Sequence, residues 1–518
     1  MRVENSVKNI YVAIFTQIVI ILLGFWSRKV FIDNLGTEYL GVNGFLTNIL
    51  SMLSLIEGGI GGSIIYNLYK PLAENDEEKI IALVQLYKKL YFILAIVIFG
   101  LSTIMYLFIG DFIKVDSGIK FVGVVYFIFV FKNIVSYLNA HKWSLINADQ
   151  KGYILAKYNL IFKVITTVVN VIILKTTKNY ILFLIIELGI FIVQNIWNGR
   201  IVNQRYSYIK TKEKYKVDKY TKNNLITNVK ALFLHQIGTY CVFGTDNLLI
   251  SYFVNIKTVG LYSNYTMIVA HLGELVTPVL SGIEASVANL IVKESKEKVY
   301  EVFKITYLIN FWIYSFCTIF LYNLLEAFIN WWLGEGLLLN RLAFVFILIN
   351  FYITGLRKSV LIFKNKGGIF TNDKYVPLIE SVINLGGSII LVKYFGLAGV
   401  FMGTTVSTIA IPLWTQSKLV YNKIFEKSVI EYFKKYFYYL MLTLIVGVLT
   451  TKSCNILVQG TGFIDLVFKG IICVLIPNII YLILFYKTDE FKYILGIVKA
   501  IIIGLKEKFI KIKSNSKF

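Results

Sequence analysis

The chain has 518 residues, 57% of them hydrophobic and 16% aromatic, and a mean hydropathy of +0.68, which excludes an ordinary soluble domain. Its net charge of +23 would point to nucleic acid in a soluble protein. Here the charge sits in connections between apolar segments, as Lys and Arg do in cytoplasmic loops, and on that ground no nucleic-acid partner is expected.

From Val7 to Phe485 the apolar segments follow one another almost without interruption. A bilayer core of about 30 Å needs roughly 20 helical residues, and in lipid only helices or closed barrels satisfy their own backbone. The segments lack the alternation of barrel strands, so the expected fold class is an all-α polytopic membrane protein of about fourteen transmembrane helices. The first span, Val7 to Asp33, is too long and too close to the second, Leu40 to Tyr69, to read as a cleaved signal peptide. Later spans are expected to begin near Ile80, Phe121, Tyr153, Tyr180, Leu225, Val259, Val302, Leu342, Tyr375, Leu397, Phe433 and Ile464.

The longest polar interval, Arg200 to Lys222, comes after the sixth span. It divides the chain into an N-terminal lobe (1–200), a cytoplasmic basic linker (201–222), a C-terminal lobe (223–421), two further helices (422–486) and a basic tail (487–518). Related wording recurs where helices restart after outer turns: Tyr39-Leu40-Gly41-Val42, Thr258-Val259-Gly260-Leu261 and Leu397-Ala398-Gly399-Val400. Asn147 and Asp149 precede the fifth span as Asn372 and Asp373 precede the eleventh. Such repetition is how many transporter folds are built, and it suggests that the six-helix first half and the longer second half are pseudo-symmetric. In the tail, Phe491, Ile494, Leu495, Val498, Ile501, Ile502, Leu505 and Phe509 share one helical face, with Lys492, Lys499 and Lys506 on another. This pattern predicts an amphipathic helix on the inner membrane surface, held by anionic lipids.

Charges inside spans carry the functional signal, because one at the bilayer centre costs at least ~2.5–3.5 kcal/mol on insertion scales. Arg28, one of only six arginines, shares a face of the first span with Gln17 and Gly24. A forked, permanently charged donor there suits phosphate, unless it snorkels outward or pairs with Asp33. The second span carries Thr47, Ser51, Ser54, Gly58 and Gly61 as a small-residue stripe, which reads as close helix packing, and beside it Glu57, a candidate proton or cation site. The seventh span holds Lys230, His235, Thr245, Asp246 and Asn247. Lys230 and His235 join Arg28 as candidate substrate-binding residues, although His235 equally fits a neutral packed histidine. Asp246, Glu274 and Glu380 join Glu57 as candidate coupling residues, with Glu274, Arg357 and Glu380 also readable as halves of structural ion pairs.

No HExxH, P-loop or GxSxG motif occurs, so neither an enzyme nor an ATP-driven pump is expected and no cofactor is called for. Cys241, Cys317 and Cys473 fall in apolar spans and Cys454 in a loop, which gives no disulfide framework and no metal-ligand spacing.

Five stretches resemble the Wzx-type polysaccharide flippases of the multidrug/oligosaccharidyl-lipid/polysaccharide superfamily. They are 28–43 (RKVFIDNLGTEYLGVN), 57–71 (EGGIGGSIIYNLYKP), 230–247 (KALFLHQIGTYCVFGTDN), 260–265 (GLYSNY) and 377–404 (PLIESVINLGGSIILVKYFGLAGVFMGT). The resemblance implies two six-helix lobes around a central lumen, two extra C-terminal helices and a bacterial plasma-membrane location. The implied substrate is an undecaprenyl-pyrophosphate-linked oligosaccharide, with Arg28, Glu57, Lys230 and Asp246 at charged lumen positions. Implied partners are that lipid-linked oligosaccharide, membrane lipids, and the polymerase and glycosyltransferases of the same pathway. The alternatives are a toxic-compound-extrusion (MATE-type) drug or cation antiporter, a peptidoglycan-precursor flippase, and a membrane polymerase or glycosyltransferase.

Loop charge fixes the expected orientation. Eight basic residues lie in 200–222, five in 418–435 and eight from Lys487 onward, against none in 34–39 and only Lys257 in 253–258. Both termini and the linker are therefore expected in the cytoplasm. A cysteine replacing Gly36 should label from outside intact cells, and one replacing Tyr215 only after permeabilisation. The reverse pattern would invert the topology.

Overall fold

The computed structural model describes residues 2–113, 121–218, 222–223, 240, 244–369, 372–373 and 375–496, and among them every regular element is a helix. In chain order these are α1 (Arg2–Leu35), α2 (Thr37–Leu53), α3 (Leu55–Glu74), α4 (Glu77–Tyr106), α5 (Val122–Leu138), α6 (Ala140–Ala148), α7 (Gly152–Thr177), α8 (Tyr180–Arg205) and α9 (Asp246–Phe253). The second half contains α10 (Ile256–Lys293), α11 (Lys296–Leu333), α12 (Arg341–Lys366), α13 (Val376–Phe395), α14 (Leu397–Ala410), α15 (Pro412–Val420), α16 (Val429–Leu457) and α17 (Phe463–Phe485). Nine helices among the described residues are long and apolar enough to cross a membrane, and ten if the bent pair α5–α6 is one span. The chain is a multi-pass membrane protein. The expected span starts coincide with helix starts to within a few residues, apart from the seventh, whose beginning lies outside the described residues.

Local chemistry sets the helix ends. Asp76, Asn179 and Asn340 cap α4, α8 and α12 by accepting from the backbone amides of Lys79 (3.0 Å), Leu182 (3.0 Å) and Ala343 (2.7 Å). The turn from α1 to α2 is a single residue, Gly36, at φ 87°, which a side chain would strain. The expected second span is broken at Ser54 into α2 and α3. Ser51 Oγ donates to Thr47 O at 2.8 Å and Ser54 Oγ to Leu50 O at 2.7 Å, back-bonds that bend helices. Thr47 and Ser51 are exposed, so at those two positions the stripe does not pack as its small residues suggested.

Packing divides the chain into two compact units, one comprising 1–266 with 384–400 and the other 267–383 with 401–518. This partition follows contacts, whereas the lobes expected at 1–200 and 223–421 follow internal repetition. The first unit buries Leu83, Tyr87, Tyr91, Tyr137, Leu145 and Val202 between α4, α5, α6 and α8. The basic linker is fastened to this unit: Gln85 Nε2 on α4 donates to Glu213 O at 2.7 Å, and Gln85 Oε1 accepts from Tyr215 N at 3.2 Å. The second unit is built on aromatic layers from α11, α16 and α17, with Phe311 stacked on Tyr439 at 4.0 Å between centroids. The tail is described only to Gly496, and Phe491 stacks on Trp312 with centroids 5.8 Å apart; the rest of the expected amphipathic face lies outside the described residues.

Within the first unit α2 and α10 cross at two of the recurring glycines. A Cβ on Gly41 would lie 1.9 Å from Ile256 O, and one on Gly260 would lie 2.1 Å from Thr37 O. Each glycine thus seats the carbonyl four residues before the other. Three residues before each glycine, Glu38 and Lys257 form an ion pair at 3.8 Å. The third recurrence behaves differently, because Gly399 packs on Leu391 of the adjoining α13. Alanine at Gly41 or Gly260 should cost about 1–3 kcal/mol by overpacking, seen as a lower thermal midpoint in detergent. Gly386, where an added Cβ would meet nothing within 4 Å, should accept alanine without loss; equal midpoints for all three variants would refute the crossing.

Candidate functional site

The crossing lays the start of α10 against α1 and α9, and the polar residues of the 260–265 stretch become partners for the charges of 28–43 and 230–247. Arg28 is half-buried on α1 and donates from Nη1 to Ser263 Oγ at 2.8 Å and Asn264 Oδ1 at 3.4 Å. No carboxylate pairs with it among the described residues, because it is Lys29 that pairs with Asp33 at 3.8 Å. No acceptor among the described residues meets Nε or Nη2, so one edge of the fork stays available. Asn264 itself is fully buried.

Asp246 opens α9, and its Oδ2 accepts from the phenol of Tyr262 at 3.2 Å. Its Oδ1 is buried and meets no donor among the described residues. Beside it Asn247 Nδ2 donates to Gly44 O at 3.4 Å, Asn48 Nδ2 donates to Gly244 O at 3.0 Å, and Tyr240 donates to Asn48 O at 2.5 Å. Three consecutive residues of α10, Tyr262, Ser263 and Asn264, therefore hold one cationic and one anionic side chain through neutral groups alone. This arrangement can present an unneutralised guanidinium to an anion and a carboxylate oxygen to a proton or small cation.

The other sequence candidates are dispersed. Glu57 lies in the first turn of α3, directly after the break at Ser54, with its amide bonded to Ser54 O at 2.9 Å. There the N-terminal amides favour a carboxylate, and the phenols of Tyr137 and Tyr91 are its neighbours. Glu274 is exposed on α10 and pairs with His271 at 3.1 Å. Glu380 is 5% exposed, lies 3.6 Å from Arg357 Nη1 and accepts from Thr408 Oγ1 at 3.4 Å, which makes it half of a buried ion pair. Lys230 and His235 lie outside the described residues. Sequence reasoning did not single out Tyr262, Ser263 and Asn264, whose signal was the GLYSNY stretch itself, nor the buried pair of Lys364 with Asp373. Among the described residues no cluster of His, Cys, Asp and Glu could hold a metal ion.

No family model matches the sequence, and no curated protein matches it. Solved structures do. The lipid II flippase MurJ in an inward closed conformation superimposes with a TM-score of 0.64 over 93% of this chain and 99% of that one, at 12% identity. An inward-facing multidrug resistance MATE transporter of the MOP superfamily gives 0.53 over 77% and 96%, at 12% identity. The Vibrio cholerae MATE transporter VcmN gives 0.52 over 82% and 98%, at 13% identity. The chain has the fold that these transporters share.

Interhelical side-chain hydrogen bonds in membranes average about 0.6 kcal/mol and reach about 1.7 kcal/mol in double-mutant cycles, and a charged donor lies toward the upper end. Arg28→Ala and Ser263→Ala should accordingly couple by about 1 kcal/mol in unfolding measurements on the purified protein. Additive effects of the two substitutions would remove Ser263 as the partner of Arg28.

Proposed function

We propose that this chain is a flippase that carries an undecaprenyl-pyrophosphate-linked oligosaccharide repeat unit across the bacterial plasma membrane, for cell-surface polysaccharide, by alternating access. The reading rests foremost on Arg28, a guanidinium within a span that neutral groups hold in place and no described carboxylate neutralises. Such a group suits the oxygens of a phosphate or pyrophosphate, which accept from two guanidinium nitrogens at once. The fold supports it as well, being shared with a protein named as a lipid II flippase. The physics asks for a polar path: an unpaired hydroxyl costs several kcal/mol in hydrocarbon, and an oligosaccharide has many.

In this reading Arg28, with Lys230 and His235, grips the headgroup, and the polyprenyl tail stays in lipid. Rocking of the two six-helix lobes exposes the headgroup to each side in turn, with both termini remaining cytoplasmic. Asp246 and Glu57 serve as the sites of proton or cation coupling. The polymerase and glycosyltransferases of the same pathway act before and after this step. A MATE-type antiporter is the second reading, favoured by the same fold in two such transporters and by the unsatisfied oxygen of Asp246.

The experiment is restoration of surface polysaccharide in a cell lacking its own flippase, with expression level controlled. Lysine at position 28 keeps the charge but loses the fork, and alanine loses both, so export should fall in the order Arg28, Arg28→Lys, Arg28→Ala. Full export by the alanine variant would sink the role of Arg28, and drug resistance without polysaccharide export would select the antiporter. Glu57→Gln combined with Asp246→Asn should abolish the dependence of transport on membrane potential and pH; a double variant that transports with unchanged dependence leaves these residues out of coupling.

A further inference from the structure

The second unit contains an apolar slot of about 760 Å³ sunk between α11, α12, the end of α14, α15 and α16. Its floor is made of buried side chains, among them Ile319, Leu348, Ile353, Leu413 and Thr443. Its rim is formed by Ile409, Leu444 and Val448, each about half exposed at 50%, 53% and 55%. On α16 it extends from Tyr436 to Lys452, a run of about 24 Å at 1.5 Å per residue. Gly447, about two-thirds of the way toward Lys452, leaves the slot open at its floor, with only Ile319 near the position of an added Cβ, at 3.6 Å.

The two ends differ. At one end stand Lys452, Thr451, Asn323 and the ring of Tyr322, on which the Arg341 guanidinium stacks at 4.6 Å. Arg341 is neutralised by Glu326 at 2.5 Å. Lys452 is exposed and has no ion-pair partner among the described residues. The 29 residues of α16 extend about 43 Å, the thickness of a bilayer with its headgroups. Lys452, five residues before the end of α16 at Leu457, therefore lies about 7 Å inside the helix end, at the boundary between hydrocarbon and headgroups. An unpaired ammonium at that depth, over a slot with apolar walls, complements a ligand with one anionic head and a long aliphatic chain. The slot is longer than the ~15 Å half-thickness of the hydrocarbon core, so a chain lying in it is extended.

We propose that this slot is a binding site for an anionic membrane phospholipid, with one acyl chain extended along α16 and the headgroup phosphate on Lys452. It belongs to a resident lipid and not to the transported one, and it holds whether or not the chain is a flippase. Ordinary annular lipid would exchange freely and show no headgroup preference; the bound lipid resists exchange and prefers an anionic head.

The full-length protein, delipidated in detergent and returned to nanodiscs of phosphatidylcholine with a minor fraction of phosphatidylglycerol, is read by native mass spectrometry. The wild type should retain one phosphatidylglycerol in preference to phosphatidylcholine. Lys452→Gln should reduce that preference about fivefold, the effect of one lysine at an anionic surface, without changing the thermal midpoint. Gly447→Leu, which fills the floor, should lose the retained lipid of either class. Should that variant fail to fold, Val448→Trp at the rim makes the same test. Retention without headgroup preference, or a preference unchanged in Lys452→Gln, would overturn the proposal. So would displacement of phosphatidylglycerol by an equal amount of polyprenyl phosphate, which would assign the slot to a polyprenyl lipid.

Discussion

The arrangement of the first unit depends on two absent methyl groups. Gly41 and Gly260 let α2 and α10 approach until each helix rests on a backbone carbonyl of the other, and the contacts repeat at the same offset in both directions. Together with the Glu38–Lys257 pair, they describe a local two-fold relation between segments more than two hundred positions apart. In lipid, where apolar side chains gain little by leaving their solvent, close backbone approach is what fixes one helix against another. Everything polar in the candidate site inherits its register from this contact, since Tyr262, Ser263 and Asn264 occupy the first turn beyond Gly260.

Charges inside the spans fall into two kinds. Arg357 with Glu380, Lys364 with Asp373 and Lys132 with Glu187 are cancelled in pairs. Such pairs offset the cost of burial and leave little field to act on a ligand. Arg28 and Asp246 are instead fixed by hydroxyls and amides, which orient a charge without neutralising it. That difference, more than depth in the membrane, sets Arg28 and Asp246 apart from the paired ions.

Much of this was legible in the sequence, because spans are written in hydropathy and their order in loop charge. The start of nearly every described span follows from the apolar runs, and the recurring glycines signalled repetition before any contact between them was known. What was hidden were events that hydropathy does not encode. The break at Ser54 arises from hydroxyl back-bonding within a run that is apolar on average. Glu274 and Glu380 look alike as lone carboxylates in apolar surroundings, yet one meets a histidine three residues away and the other an arginine on a different helix. Partners brought in from distant spans, such as Ser263 for Arg28, follow from the helix crossing and not from neighbouring letters.

The hold of Gln85 on the linker has a mechanical meaning. A side-chain amide carries the same donor and acceptor as a peptide group, so Gln85 grips Glu213 and Tyr215 much as a neighbouring strand would. The chain leaving α8 at Arg205 is thereby committed to the first unit for ten further residues. At about 3.5 Å per extended residue, this removes about 35 Å from the reach of the connection toward the seventh span. The connection between the two halves of the sequence thus works as a short leash whose reach is counted from Tyr215 on the first unit and not from the end of α8.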